Sequence, residues 1–209
     1  MKKSNFSTGR MARLAVLAAI LIVMGFTPLG YLRVNLVMEI TFNMIPVVIG
    51  AVVLGPSGGA ILGLIFGLTS FAQALTGSNA LGAMLLSQGF VSAILLFVTC
   101  VVPRVLAGWI PGLLFRALDK SNSMSRRVIA ISLSTLCGSV LNTVFFIAAF
   151  IGFFATNDAV TGAFGTTSVW AMITLLLSVN AVVEAIICTV VGSAVGQTMI
   201  YLMPRKKQA

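Results

Sequence analysis

From Met44 to Val102 the chain carries no charged side chain, and from Ser168 to Met203 it carries one, Glu184. Apolar runs of this length are what a bilayer core requires of a helix, about 20 residues per crossing. A soluble surface needs roughly 25% charged residues to stay wet. Here 8% of the 209 residues are charged and 59% are hydrophobic. The chain therefore reads as an all-α integral membrane protein, a single domain of about six transmembrane helices over residues 1–209.

The charges that exist are placed, not scattered. Lys2, Lys3, Arg10 and Arg13 precede the first apolar run. Arg116, Lys120, Arg126 and Arg127 flank an interior break, and Arg205, Lys206 and Lys207 close the chain. Basic clusters beside apolar spans mark cytoplasmic loops and suit the anionic inner leaflet. Both termini are thus expected inside the cell. Of the 13 Lys and Arg, Arg33 alone falls on the expected outer side. The net charge of +9 is explained by this bordering of lipid, and no basic readout face points to a nucleic-acid partner.

The expected spans run over Met11–Phe26, then two helices within Met44–Leu75 separated at Gly55-Pro56-Ser57-Gly58-Gly59. A fourth covers Leu81–Val102, a fifth Val128–Phe154, and the last Ser168–Met203, longer than one perpendicular crossing needs. Tyr31–Asn43 reads as an outer loop or short amphipathic piece. Thr76-Gly77-Ser78-Asn79 and Ala155–Thr167 are the other outer segments. Pro103-Arg104 is expected to open an inner interfacial stretch with Trp109, Pro111 and Arg116, because aromatic and basic anchors belong at that depth.

Chemistry is sparse. The chain has no histidine and its three cysteines lie far apart in apolar stretches, which suits small hydrophobes better than a metal motif or disulfide framework. The phosphate-binding Gly-x-x-x-x-Gly-Lys-Ser/Thr loop is missing, so ATP would have to be bound by other subunits. A Ser-His-Asp set is impossible, and an intramembrane carboxylate enzyme would want a second acid beside Glu184. No resident cofactor, metal or catalytic residue is expected.

Glu184 is the most informative position. An ionisable group in the middle of an apolar span normally faces a cavity or a partner. Asn180 lies one turn earlier on the same face, and Asn142 occupies the middle of the fifth span. Two readings stay open for these three: mutual hydrogen bonds that lock helix packing, or one pocket between the last two helices. Asn43, Gln73, Asn79, Thr69 and Gln88 form a second, outer set. On the first helix, Ala15 and Ala19, with Ala12 nearby, make a small-residue stripe that permits close helix approach. Gly63 and Gly67 form a similar pair on the third.

Together these residues resemble the substrate-binding S-components of energy-coupling factor (ECF) vitamin transporters, over nearly the whole length. The resemblance is carried by Ala15-x-x-x-Ala19, by Ile40-Thr41-Phe42-Asn43-Met44-Ile45-Pro46-Val47 and by Leu54-Gly55-Pro56-Ser57-Gly58-Gly59-Ala60 leading to Phe66-Gly67-Leu68-Thr69-Ser70-Phe71. Val102-Pro103-Arg104, Leu141-Asn142-Thr143 and Asn180-Ala181-Val182-Val183-Glu184 add to it. The chain looks most like the pantothenate-specific branch, with Met44 where related members tend to have histidine. The resemblance implies a vitamin-binding subunit of the bacterial plasma membrane. Its partners would be a transmembrane scaffold (T) subunit and two ATPase subunits. It would deliver substrate by reorienting in the membrane, with Ala12, Ala15 and Ala19 as the docking stripe. The pocket would involve Asn142, Asn180 and Glu184, closed by outer loops around Asn43 and Asn79. Glu184 sits uneasily with an anionic vitamin unless it is protonated or a cation such as Arg33 offsets it. S-components for riboflavin, folate, pyridoxine or a thiamine precursor, and a self-sufficient carrier, are the competing readings.

Overall fold

A computed structural model describes residues 8–33, 39–119, 124–177 and 179–202, the side chains of residues 32, 33, 39, 40, 179 and 180 excepted. Among these residues the chain forms nine helices and one short hairpin. The first helix, α1, spans Thr8–Gly25. The polar Tyr31–Asn43 segment then folds as two antiparallel strands, β1 (Tyr31–Arg33) and β2 (Glu39–Thr41), in the register Tyr31↔Thr41 and Arg33↔Glu39. Backbone pairing satisfies donors and acceptors that no long helix takes up here.

The helices α2 (Met44–Leu54) and α3 (Pro56–Leu75) are separated by Gly55 alone. Gly55 has φ +81°, a conformation glycine reaches without a Cβ penalty, and Pro56 then starts α3 where its missing N–H costs nothing. Eleven residues at the helical rise give α2 a length of about 16 Å, too short to cross a bilayer. α2 is instead buried along most of its surface. Five other stretches are long and apolar enough to span: Thr8–Gly25, Pro56–Leu75, Phe90–Leu118, Met124–Phe154 and Val169–Leu202. With α2 they make up the six hydrophobic segments expected from the sequence.

Two boundaries differ from expectation. The fourth span does not begin at Leu81: a short helix α4 (Ala80–Leu86) is followed by a break at Gly89 and then α5 (Phe90–Leu118). Nor does Pro103 end that span. α5 continues for 29 residues through both Pro103 and Pro111, because prolines are tolerated in membrane helices where neighbours cover the freed backbone, and both are buried here. Arg104 is therefore an embedded residue, not an interfacial anchor. Beyond α6 (Met124–Phe154) the outer segment forms α7 (Asp158–Phe164), and the described residues of the last apolar run are helical over α8 (Val169–Leu177) and α9 (Val179–Leu202), on either side of residue 178, which lies outside the described residues.

Close packing of α3 on α5 depends on glycine. A Cβ on Gly59 would lie 2.1 Å from the Gly108 carbonyl oxygen, and one on Gly63 would lie 2.2 Å from that of Arg104. At Gly67 it would meet the Val101 Cα at 2.7 Å. The two helices thus touch backbone to backbone, as small residues allow in membranes, and the Gly63/Gly67 pair is internal. Across the bundle, a hydrogen bond of 3.1 Å between the buried hydroxyls of Thr135 and Ser193 ties α6 to α9. One core cluster gathers Leu17, Leu21, Met44, Val47, Val48 and Phe66. Another, with Leu85, Leu96, Phe150, Phe154, Phe164 and Met172, lies under α4, α7 and α8.

Candidate functional site

Between these clusters lies a cavity bordered by the hairpin and by α3, α4, α5, α6, α8 and α9. Its polar wall includes Tyr31, Thr41, Ser70, Gln73, Asn79, Arg104, Asn142 and Glu184. Leu85, Leu96, Phe146, Ile147 and Phe150 supply the apolar part. The cavity has a volume of about 150 Å³, which suits one small molecule.

Four of the residues singled out from the sequence come together here: Gln73, Asn79, Asn142 and Glu184. Asn142 Nδ2 donates to Glu184 Oε1 at 3.4 Å, and the Thr41 backbone N–H donates to Oε2 at 3.5 Å. Both contacts are at the long limit of hydrogen bonding, so the carboxyl is only loosely held. Asn142 Oδ1 is buried with no partner among the described residues. The mutual-locking and pocket readings of the sequence are therefore not exclusive: the pair is bonded, and both residues border the cavity. Gln73 Nε2 donates to the Gly25 carbonyl, closing the free end of α1, and Asn79 caps α4 by accepting from the Gly82 N–H at 2.7 Å. These two are wall residues with structural bonds of their own.

Asn43 is placed elsewhere. It is fully buried at the start of α2, beside Gly30, and does not border the cavity. Thr69 packs against Gly25, and Gln88 is exposed, paired with Asn157 at the outer surface. Asn180 lies in α9, but its side chain lies outside the described residues, as does that of Arg33. Ala12, Ala15 and Ala19 are exposed along α1, facing away from the helices that form the core.

The residue that sequence reasoning misplaced is Arg104. It is 8% exposed. Its guanidinium carbon lies 4.6 Å from the Phe66 ring centroid and 5.4 Å from that of Phe146, distances at which aromatic faces attract a cation. One amine donates to the Cys100 carbonyl at 2.8 Å, and Nε is buried without a partner among the described residues. Arg104 has no ion-pair partner among the described residues; it borders the same cavity as Glu184 without reaching it. The available signal was its place in an unbroken apolar run from Phe90 to Ile110. The adjacent proline hid that signal.

A buried cation without a matching anion is costly, and an ionisable group at membrane depth marks a functional site by default. The site therefore offers guanidinium donors on the α3/α5 side and oxygen acceptors on the α6/α9 side, with aromatic and aliphatic surface between. This arrangement can hold a small ligand with an anionic group and several hydrogen-bonding groups.

The chain belongs to the family of substrate-specific components of ECF transporters, whose family model matches residues 9–195. It is thus a multi-pass protein of the bacterial plasma membrane and a substrate-binding transport subunit. Over 183 residues it is 24% identical to the pantothenate transporter PanT of Leuconostoc mesenteroides subsp. mesenteroides, covering 87% of this chain and 84% of that one. It is 26% identical over 205 residues to the pantothenic acid transporter PanT of Lactococcus lactis subsp. cremoris, covering 93% and 94%.

Proposed function

We propose that the chain is the pantothenate-binding subunit of an ECF-type importer. The observation that carries this reading is Arg104, a buried guanidinium facing a cavity whose other wall is made of acceptors. Pantothenate has a carboxylate at one end, two hydroxyls at the other, an amide between and a compact gem-dimethyl group. The carboxylate meets Arg104, whose planar fork matches it in a two-bond geometry. The hydroxyls donate to Glu184 and to Asn142 Oδ1. The methyl groups lie on the leucine and phenylalanine wall. The difficulty posed by Glu184 is met by Arg104: each charge addresses a different part of the ligand. The names of the two relatives support the same substrate.

The test is the melting temperature of the purified protein against a panel of B-type vitamins. A ligand that binds only the folded form stabilises it by about 2.7 kcal/mol at one hundred times its Kd. Pantothenate is expected to raise the melting temperature with increasing concentration. A rise with riboflavin, folate, pyridoxine or a thiamine precursor instead would reassign the substrate.

In this reading, energy comes from a T subunit and two ATPase subunits, and the exposed Ala12, Ala15 and Ala19 form the face on which the scaffold helix docks. Docked, the subunit reorients and carries its pocket inward. Ala15→Trp is expected to reduce uptake in cells to background while leaving the Kd of the isolated subunit within about threefold, since this position does not border the cavity and its face is exposed. Equal loss of binding would place the stripe in internal packing. Full uptake by cells lacking the ATPase subunits would indicate a self-sufficient carrier.

A further inference from the structure

The cavity's charges are arranged by opposite preference, and the two differ in what they exclude. Arg104 is held by aromatic faces on α3 and α6 and by the Cys100 carbonyl. Glu184 is held, loosely, by Asn142 and by the hairpin's Thr41. Neither neutralises the other through an ion pair, although both border one cavity. Around Glu184 the groups left open among the described residues accept hydrogen bonds: the carboxyl oxygens have long contacts and Asn142 Oδ1 has none. No Lys or Arg other than Arg104 borders the cavity among the described residues.

From this asymmetry we infer that Glu184, with Asn142 behind it, acts as a selectivity wall that admits a ligand's neutral hydroxyl end and rejects any ligand bearing a second anionic group there. A hydroxyl donates to the wall. A phosphate or carboxylate at the same place brings acceptor against acceptor and negative charge against the carboxylate, with no second cation among the described residues to compensate it. Like charges opposed in a buried site cost several kcal/mol. The wall also fixes the ligand's direction, because a reversed ligand would set its carboxylate against Glu184 and its hydroxyls against Arg104. The substrate class is thus an acid anionic at one end only. This inference rests on the substrate reading above and assigns to Glu184 the exclusion of wrong ligands as well as the binding of the right one.

The experiment compares Kd values for three ligands by titration calorimetry on wild-type protein and on Glu184→Gln. The ligands are pantothenate, pantothenol (whose carboxylate end is a neutral alcohol) and pantothenate phosphorylated on its primary hydroxyl. In wild-type protein the phosphorylated ligand is expected to bind at least about a hundredfold more weakly than pantothenate, in line with the cost of opposing like charges. In Glu184→Gln that ratio is expected to shrink by at least about tenfold, while the ratio of pantothenol to pantothenate, which reports on Arg104, stays nearly the same. A phosphorylated-to-plain ratio unchanged in a variant that still binds pantothenate overturns the role of Glu184 and leaves the substrate reading in place. Failure of pantothenate to bind folded wild-type protein overturns both. If Glu184→Gln does not fold, Asn142→Asp tests the same wall by adding charge, and the ratio is expected to widen; a constant ratio overturns the inference.

Discussion

Arg104→Gln is expected to weaken pantothenate binding by roughly a hundredfold or more. Truncating one partner of a buried, hydrogen-bonded charge pair costs about 2–5 kcal/mol, and each 1.4 kcal/mol is about tenfold in Kd. Most of the loss comes from leaving the ligand's carboxylate in an apolar cavity with no cation to meet it. The unliganded protein is not expected to suffer in proportion. Arg104 without ligand is a desolvated charge whose partners are a backbone carbonyl and two aromatic faces, and exchanging an unmatched buried ion for a neutral group relieves its desolvation. The signature is therefore a melting temperature close to wild type without ligand and a lost ligand-induced rise. Arg104→Lys is expected to recover part of the affinity, because it restores the charge but not the planar fork. Calorimetric Kd values within threefold of wild type for Arg104→Gln would remove it from the site.

Gly63→Val is expected to have the largest effect on folding. A Cβ at Gly63 would stand 2.2 Å from the carbonyl oxygen of Arg104, 2.8 Å from its carbon and 3.1 Å from the Val105 Cα. All three are backbone atoms, so no rotamer change relieves the clash, and α3 and α5 must separate. Ordinary overpacking costs about 1–3 kcal/mol and sometimes more; here the displaced element also carries the binding arginine. Loss of the monodisperse, cooperatively melting species in detergent is the expected result. The matched control is Gly152→Ala on α6, where an added Cβ meets nothing within 4 Å and alanine favours the helix by about 1 kcal/mol. If Gly63→Val melts within a degree or two of Gly152→Ala, the close contact between α3 and α5 is not what holds this half of the bundle. The milder Gly63→Ala, if folded, should bind ligand less tightly through the displaced Arg104.

These two residues, neighbours across one helix contact, also show where reading from sequence ended. Gly63 and Gly67 were visible as a close-approach pair, but spacing alone could not say which helix approaches, or whether it belongs to this chain or to another. The same pattern of small residues on α1 ends up on an exposed face. Only packing separates the two: α3 lies inside the bundle, and α1 at its edge.

The sequence by itself determined the membrane class, the hydrophobic segments, the Gly55-Pro56 turn and the likeness to S-components. These follow from local rules: bilayer thickness sets run length, charges border the runs, and glycine and proline punctuate. It also singled out Glu184 and Asn142, because a polar group in the middle of an apolar span is conspicuous without any partner in view. Tertiary structure decided the rest. Pro103 stayed within α5 because neighbouring helices cover the freed backbone, and that one outcome turned Arg104 from an anchor at the membrane surface into the cation of the site. Asn43 moved out of the cavity wall while Gln73 and Asn79 stayed in it, since the wall is assembled from elements distant in sequence. Whether a polar side chain meets a ligand, a cap or a neighbouring helix depends on those long-range contacts, and no local pattern encodes them.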